Sequence, residues 1–259
     1  MDLTDRVAVI TGGASGIGAA SCRAFAAAGA IVAVVDRDLD GAQAVASEIK
    51  GAAFACDVGD EASVHHAFTA IASELGPVDV CFNNAGVATG GDPLRTDPAV
   101  WDEQWQINVM AHVYAQREVL PGMLERGDGY LLHTASMAGI LTTHGNATYA
   151  ATKHAVVGLA EWNAITYHDR GVRTSLLAPL GVNTPMLAGL TGGSPVSAAL
   201  GPVKEADEVA QLVVDAIGEE RFLILTDPVA QEWMDRKSGD LERWLRGMRR
   251  LQAQMGRSG

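Results

Sequence analysis

Cationic side chains are scarce in this 259-residue chain: 19 Lys and Arg stand against 31 Asp and Glu, a formal net charge of −12 at pH 7. A surface of that sign argues against nucleic acid as a general partner. Cysteine is scarcer still. Cys22, Cys56 and Cys81 are odd in number and far apart, which excludes a disulfide framework and leaves buried, reduced thiols as the plain expectation. No apolar run reaches the roughly 18 residues of a membrane span, and Met1 to Arg6 carries no signal segment. A cytoplasmic protein with no membrane partner is expected. Seven histidines, His65 and His66 among them, are scattered without metal-ligand spacing, so no metal site is expected and the ordinary reading is surface or loop residues. There is no repeat, low-complexity stretch or linker. With 48% hydrophobic residues the chain can bury one large core.

Short β-branched runs recur at Val7–Thr11, Ile31–Asp36, Ala53–Asp57, Val78–Asn83, Gly129–Ala135, Val172–Ala178 and Phe222–Thr226, with helical patterns between them. Such alternation implies an α/β fold. The expected architecture is a single-domain, Rossmann-like doubly wound parallel sheet of about seven strands with helices on both faces, ligands gathering at the carboxyl ends of the strands. The first run leads directly into Gly12-Gly13-Ala14-Ser15-Gly16-Ile17-Gly18 and an alanine-rich helix. Glycines there let backbone N–H groups approach a pyrophosphate, and the positive end of the helix favours its charge. Gly12, Ser15, Gly16, Ile17 and Gly18 are therefore candidate cofactor contacts. Asp36, closing the second strand, is placed to accept hydrogen bonds from ribose hydroxyls and would repel a 2′-phosphate. NAD is thus expected ahead of NADP, although Arg37 next door keeps NADP open.

A second constellation lies in the other half. Tyr149 and Lys153 are four residues apart, hence on one face of a helix. A phenol with an ordinary pKa near 10 needs a neighbouring ammonium before it can act as a base, and Lys153 is positioned to supply one. Ser136 and Asn108 lie upstream. The ordered set Thr11-Gly12-x-x-x-Gly16-x-Gly18, Asn83-Asn84-Ala85-Gly86, Asn108, Ser136 and Tyr149-x-x-x-Lys153 resembles the short-chain dehydrogenase/reductases, from about residue 4 to residue 227.

That resemblance implies an oxidoreductase that moves a hydride between NAD and a secondary alcohol or ketone. It makes Tyr149 the general base or acid, has Ser136 hold the substrate oxygen, and has Lys153 lower the tyrosine pKa and bind the nicotinamide ribose. Asn108 is given a distortion in its helix and a water leading to Lys153. Asp57 and Val58 would line the adenine site, the alternative for Asp57 being a turn acid capping the helix that begins near Asp60. Asn84, Ala85 and Gly86 would support the sheet and pass the cofactor ribose, and Val182 and Thr184 would hold the nicotinamide amide. Many relatives carry Pro-Gly after the sixth strand, whereas this chain has Pro179-Leu180-Gly181, so Leu180 is expected to narrow the pocket beside the nicotinamide unless the change is neutral. Residues 186–203, rich in Gly and Pro, would form the substrate lid; with Met137, Ile140, Leu141 and Met186 they suggest an apolar substrate, His144 and Asn146 adding polar contacts. The domain would run over 1–227 with a helical extension over 228–259, and a homotetramer is implied.

From Pro228 the chain carries seven Lys/Arg against four Asp/Glu, with Val229, Trp233, Met234, Leu241, Trp244, Leu245, Met248 and Leu251 at helical spacing. Packing on its own subunit, contact with a neighbouring subunit and binding to a membrane surface all remain open for this tail. Two other functions stay in view: an NADP-dependent ketoreductase of biosynthesis, and a dinucleotide-binding regulatory protein without catalysis.

Overall fold

The computed structural model describes residues 1–191 and 201–255. Seven parallel strands form one sheet: β1 (Val7–Thr11), β2 (Ile31–Asp36), β3 (Ala52–Ala55), β4 (Val80–Asn83), β5 (Gly129–Thr134), β6 (Val172–Ala178) and a last strand, Leu223–Leu225. Their order is β3-β2-β1-β4-β5-β6 followed by the last strand. The chain winds outward in both directions from β1, which pairs with β2 on one side (Val7 opposite Ile31) and with β4 on the other (Ala8 opposite Val80). That reversal opens the crevice where ligands of such sheets bind.

The strands are buried on both faces because helices cover both. Ile10, Phe82 and Leu132 pack with Phe25 of α1 (Gly16–Ala27) and with Ile217 of the helix Ala206–Gly218. Their strand neighbours Val9, Cys81 and Leu131 point the other way, onto Phe68 and Ile71 of α3 (Glu61–Leu75) and Met123 of α5 (Ala111–Arg126). This alternation is the period-two geometry of a strand, and it explains why the runs read as continuously apolar. The three cysteines are buried and free.

Polar caps set several helix starts. Asp60 accepts the Ala62 N–H (3.0 Å) at α3, and Asp97 accepts the Ala99 N–H (2.9 Å) ahead of α4 (Pro98–Trp105). The third strand stops at Ala55 rather than reaching Asp57. There the Asp57 N–H donates to Ser63 Oγ (3.0 Å) and the Asp57 carboxylate accepts the Gly59 N–H (3.0 Å), so local bonds replace the ladder.

Beyond β6 a two-residue parallel ladder, Val182–Asn183 with Lys204–Glu205, brackets the segment expected as a lid. The helix Pro185–Thr191 opens that segment, and its residues 192–200 lie outside the described residues. The tail forms two helices, Pro228–Gly239 and Leu241–Met255. Both lie on their own subunit: Ala230, Trp233, Met234 and Trp244 join Met137, Leu141 and Ala178 in one apolar cluster. Lys237 Nζ donates to the Ile140 carbonyl, and His144 Nδ1 meets Gln252 Oε1 at 2.6 Å. Among the described residues no helix is long and apolar enough to cross a membrane.

The carboxyl ends of β1 and β4 are joined by one side chain. Buried Thr11 Oγ1 accepts the N–H groups of Asn84 (3.0 Å) and Ala85 (3.1 Å). Thr11→Val keeps the β-branched shape but strands both donors, and should lower the unfolding free energy in a urea titration by about 2–4 kcal/mol, with Thr11→Ser close to wild type.

Candidate active site

The glycine turn after β1 is built for close approach. Gly12 and Gly16 have φ of +67° and +53°, and a Cβ on Gly18 would lie 2.0 Å from the Gly12 carbonyl oxygen. A Cβ on Gly12 would come 3.0 Å from Ala85 Cα, and one on Gly16 would come 3.1 Å from Thr184 Cγ2. The turn therefore touches the segment after β4 on one side and the segment after β6 on the other. Ser15 stands exposed at the N-cap of α1 without a side-chain cap bond, leaving the positive end of a 12-residue helix open. Ile17 is half-buried in the first turn.

Asp36 is held by two backbone donors, Ala14 N–H on Oδ2 and Asp38 N–H on Oδ1, both at 3.0 Å. Each oxygen keeps acceptor capacity beyond its single bond. Arg37 is exposed beside it. Asp57 is exposed and Val58 half-buried at the end of β3. Asn84 serves the sheet: its Nδ2 donates to the Thr11 carbonyl and its Oδ1 accepts from Thr134 Oγ1, both at 3.1 Å.

Asn108 lies in a π-helix, Gln106–Met110, between α4 and α5. The wider turn is a distortion of the kind the resemblance implied. Fully buried, Asn108 accepts the Val87 N–H (2.8 Å), donates to the Val87 carbonyl (2.9 Å) and donates to Thr152 Oγ1 (3.1 Å). It thereby fixes the strand end just past Gly86. A Cβ on Gly86 would sit 3.2 Å from Asn108 Oδ1 and 3.4 Å from Lys153 Nζ, so the three residues meet there.

Tyr149 and Lys153 share a face of α7 (Ala147–Tyr167), a helix capped by Asn146, whose Oδ1 accepts the Tyr149 N–H (2.9 Å). Lys153 is 2% exposed; its Nζ donates to the Thr134 carbonyl (2.8 Å) and lies 5.7 Å from the centre of the Tyr149 ring. Burial pushes the ammonium down to about 8. The phenol is raised above 10 by burial, with the Ser136 hydroxyl pulling the other way. Ser136 Oγ accepts the Ala138 N–H (3.1 Å) and approaches the Pro179 carbonyl (3.5 Å).

Of the residues read as lining the substrate, Met137 is buried and Leu180 half-buried in the tail cluster, Met186 is exposed, and the His144 ring is taken up by Gln252. Leu180 Cδ1 lies 3.2 Å from a Cβ position on Gly201, which the Trp233 indole also approaches.

Two features were not read from the sequence. Gln104 is fully buried, and its amide is best satisfied with the oxygen toward the Tyr149 N–H (3.3 Å) and Asn108 Nδ2 (3.2 Å). Its position four residues before Asn108 was the available signal. Two of the histidines read as surface or loop residues belong to the core: His112 Nδ1 and His133 Nδ1 are 2.9 Å apart between α5 and β5, and both rings are fully buried. Burial holds His133 down to about 3 and His112 well below 6.5, His133 and Lys153 also acting against a charge on His112. The pair is neutral, with one proton between the facing nitrogens.

A doubly wound sheet with a glycine cradle at its switch point, facing a half-buried Tyr149 and a buried Lys153, defines an α/β oxidoreductase of the dinucleotide-binding class. The sequence model of the family described as short chain dehydrogenase matches residues 6–193, and the chain belongs to that family. It is 39% identical over 239 residues to a 1-deoxy-11-beta-hydroxypentalenate dehydrogenase of Streptomyces exfoliatus, covering 89% of this chain and 86% of that one. It is 38% identical over 189 residues to a D-threitol dehydrogenase of Mycolicibacterium smegmatis, covering 71% and 73%. A short chain dehydrogenase/reductase from Burkholderia phymatum solved in complex with NAD superposes with a TM-score of 0.84 at 29% identity, covering 93% of this chain and 96% of that one. The protein is an enzyme that acts on alcohol or ketone substrates by NAD(P)-dependent hydride transfer.

Gly86→Ala should press a methyl against Asn108 and Lys153, displacing them, and cut turnover at least about tenfold while shifting the thermal midpoint by only a few degrees, read by steady-state rates beside a thermal melt. The imidazole pair gives a pH signature. Both rings stay neutral in the folded protein but take a proton near pH 6.5 when unfolded, so their stabilisation is complete above that pH and is lost as the pH falls toward 3. Urea midpoints should decline below pH 6.5 with up to about 1.4 kcal/mol per pH unit from each ring, and a His112→Asn/His133→Asn double variant should lose that part of the slope.

Proposed function

We propose that the enzyme oxidises a secondary alcohol, or reduces the matching ketone, with Tyr149 as the proton-transferring group and NAD as the preferred cofactor. The observation that carries the reading is the convergence of Tyr149, Lys153, Ser136 and Asn108 beside a glycine cradle that added Cβ atoms would fill. Gly12, Ser15, Gly16, Ile17 and Gly18 would receive the pyrophosphate, Asp36 the adenosine ribose, Asp57 and Val58 the adenine. Asn84, Ala85, Gly86, Val182, Thr184, Tyr149 and Lys153 would face the nicotinamide half. The bound dinucleotide supplies the hydride acceptor or donor.

The chain's own part is the proton. Ser136 orients the substrate oxygen and stabilises charge developing on it, and Tyr149 takes or gives the hydroxyl proton. Lys153, anchored on Thr134, is close enough for its ammonium to favour the phenolate once the phenol begins to ionise. Asn108 positions this lysine by holding Val87 and Thr152.

The NAD preference rests on Asp36, whose carboxylate is fixed by Ala14 and Asp38 and would repel a 2′-phosphate; the related Burkholderia enzyme was solved with NAD. Wild type should bind NADP at least about tenfold more weakly than NAD, and Asp36→Ser should narrow that gap. An NADP preference in wild type would favour the biosynthetic ketoreductase reading. Three buried, free cysteines suit the reducing cytoplasm. Residues 186–203 are assigned as a substrate lid and 228–259 as a helical extension of the 1–227 domain. For assembly, Trp105, Trp162 and Ile165 present an exposed apolar face on α4 and α7, Ile165 being 83% exposed, which suits the subunit contacts of a homotetramer. Ile165→Asp should shift the mass measured by light scattering toward smaller species.

The decisive experiment is NADH formation from NAD over a panel of secondary alcohols. Tyr149→Phe should keep cofactor affinity and lose about 1000-fold or more in turnover. Full turnover in that variant would overturn the assignment of the proton-transferring group.

A further inference from the structure

The loops that follow β5 and β6 are laced together at one carbonyl. Pro179 O accepts the Met137 N–H (2.9 Å), with Ser136 Oγ 3.5 Å away. Immediately beyond this point both loops bury side chains in the same apolar cluster, Met137 from one and Leu180 from the other. The Leu180 backbone is pinned as well, its N–H donating to buried Thr226 Oγ1 (3.1 Å). Trp233 of the tail closes the cluster. A Cβ on Gly201 would lie 2.9 Å from Trp233 Cη2 and 3.2 Å from Leu180 Cδ1, so indole, isobutyl group and the Gly201 backbone converge on one spot, where Gly201 has φ of +72°. Met137 and Leu180 therefore sit on either side of the Pro179 carbonyl that Ser136 approaches, with Trp233 in the same apolar cluster.

We propose that Trp233, seated on Leu180 and Gly201, is a specificity-determining residue that supplies the far apolar wall of the substrate pocket and selects ring-bearing secondary alcohols or ketones over short-chain ones. This rests on the oxidoreductase reading above. An indole offers a broad rigid face that a compact ring system covers and a short chain does not reach. The leucine that replaces the usual glycine after Pro179 is then the platform on which the indole stands. Among the described residues the nearest atoms to added Cβ positions on Gly12, Gly16 and Gly18 belong to neither Trp233 nor Leu180, so NADH affinity is expected to be unchanged when this wall is altered.

The test measures kcat and KM for borneol, cyclohexanol and 2-butanol in wild type, Trp233→Ala, Trp233→Leu and Trp233→Phe, with NADH affinity measured in each. Trp233→Ala should raise KM for the two ring alcohols at least about tenfold relative to 2-butanol, leaving kcat within about threefold. Trp233→Phe should return the ratio to within about threefold of wild type, and Trp233→Leu takes the place of the alanine variant if that fails to fold. A ring-to-chain KM ratio that stays within about twofold in folded Trp233→Ala or Trp233→Leu overturns the proposal, as does a uniform loss of kcat on all three alcohols that Trp233→Phe shares. A wild type that turns over none of them, while Trp233 variants bind NADH unchanged, overturns the functional reading and the inference with it.

Discussion

The arrangement at the carboxyl ends of β1, β4 and β5 is the constraint on which the site depends. Thr11 accepts the N–H groups after β4, Asn84 returns a bond to the Thr11 carbonyl, and Thr134 of β5 donates to Asn84. Three strand ends are thus fixed at the switch point by two threonines and an asparagine. Two consequences follow from that rigidity. The Gly12 turn lies against Ala85 at a separation only glycine tolerates, and the Thr134 carbonyl stands where it orients Lys153. The glycine turn and the buried Lys153 ammonium therefore share one scaffold.

The second organising fact is that the ammonium is buried. Removing Lys153 from water drags its pKa to about 8, while the same burial raises Tyr149, so each charge alone is disfavoured. A phenolate and an ammonium together are disfavoured far less, since their attraction grows in the same low-dielectric surroundings. The neutral His112–His133 pair fits this economy of charge. A protonated imidazole in the same interior would oppose the lysine, and desolvation prevents it from forming.

Much of this was legible in the sequence because it rests on local signals. The order of strands and helices followed from runs such as Val7–Thr11 and Ile31–Asp36, whose β-branched residues are buried on both faces, and the seven-stranded parallel sheet agrees with it. Glycine spacing and the acid at the end of β2 are short-range patterns as well, and the family resemblance carried by these motifs holds. Long-range polar contacts were not legible. Nothing in the run Tyr130-Leu131-Leu132-His133 says that its histidine meets another across a helix, and the bland reading of His112 failed for the same reason. The end of β3 was misjudged by two residues because a serine six positions away competes for the Asp57 N–H. Spacing put Tyr149 and Lys153 on one face, but the burial of Lys153 there is something no spacing reveals.

The displaced glycine after Pro179 and the amphipathic tail looked like unrelated oddities in the sequence, one a loop variation and the other an appendage. In the folded chain they are one feature. Leu180 has a side chain where the family resemblance implies glycine, and that side chain is accommodated by Trp233, which lies past the last strand. Gly201, in turn, has to lack a Cβ because both groups crowd against it. Each departure would leave a gap or a clash without the other two: Leu180 without the indole would expose an isobutyl group beside the site, and the indole without Gly201 would collide with a side chain. Their mutual fit ties the tail to the loop that carries Val182 and Thr184, some fifty residues upstream of Trp233 in the chain.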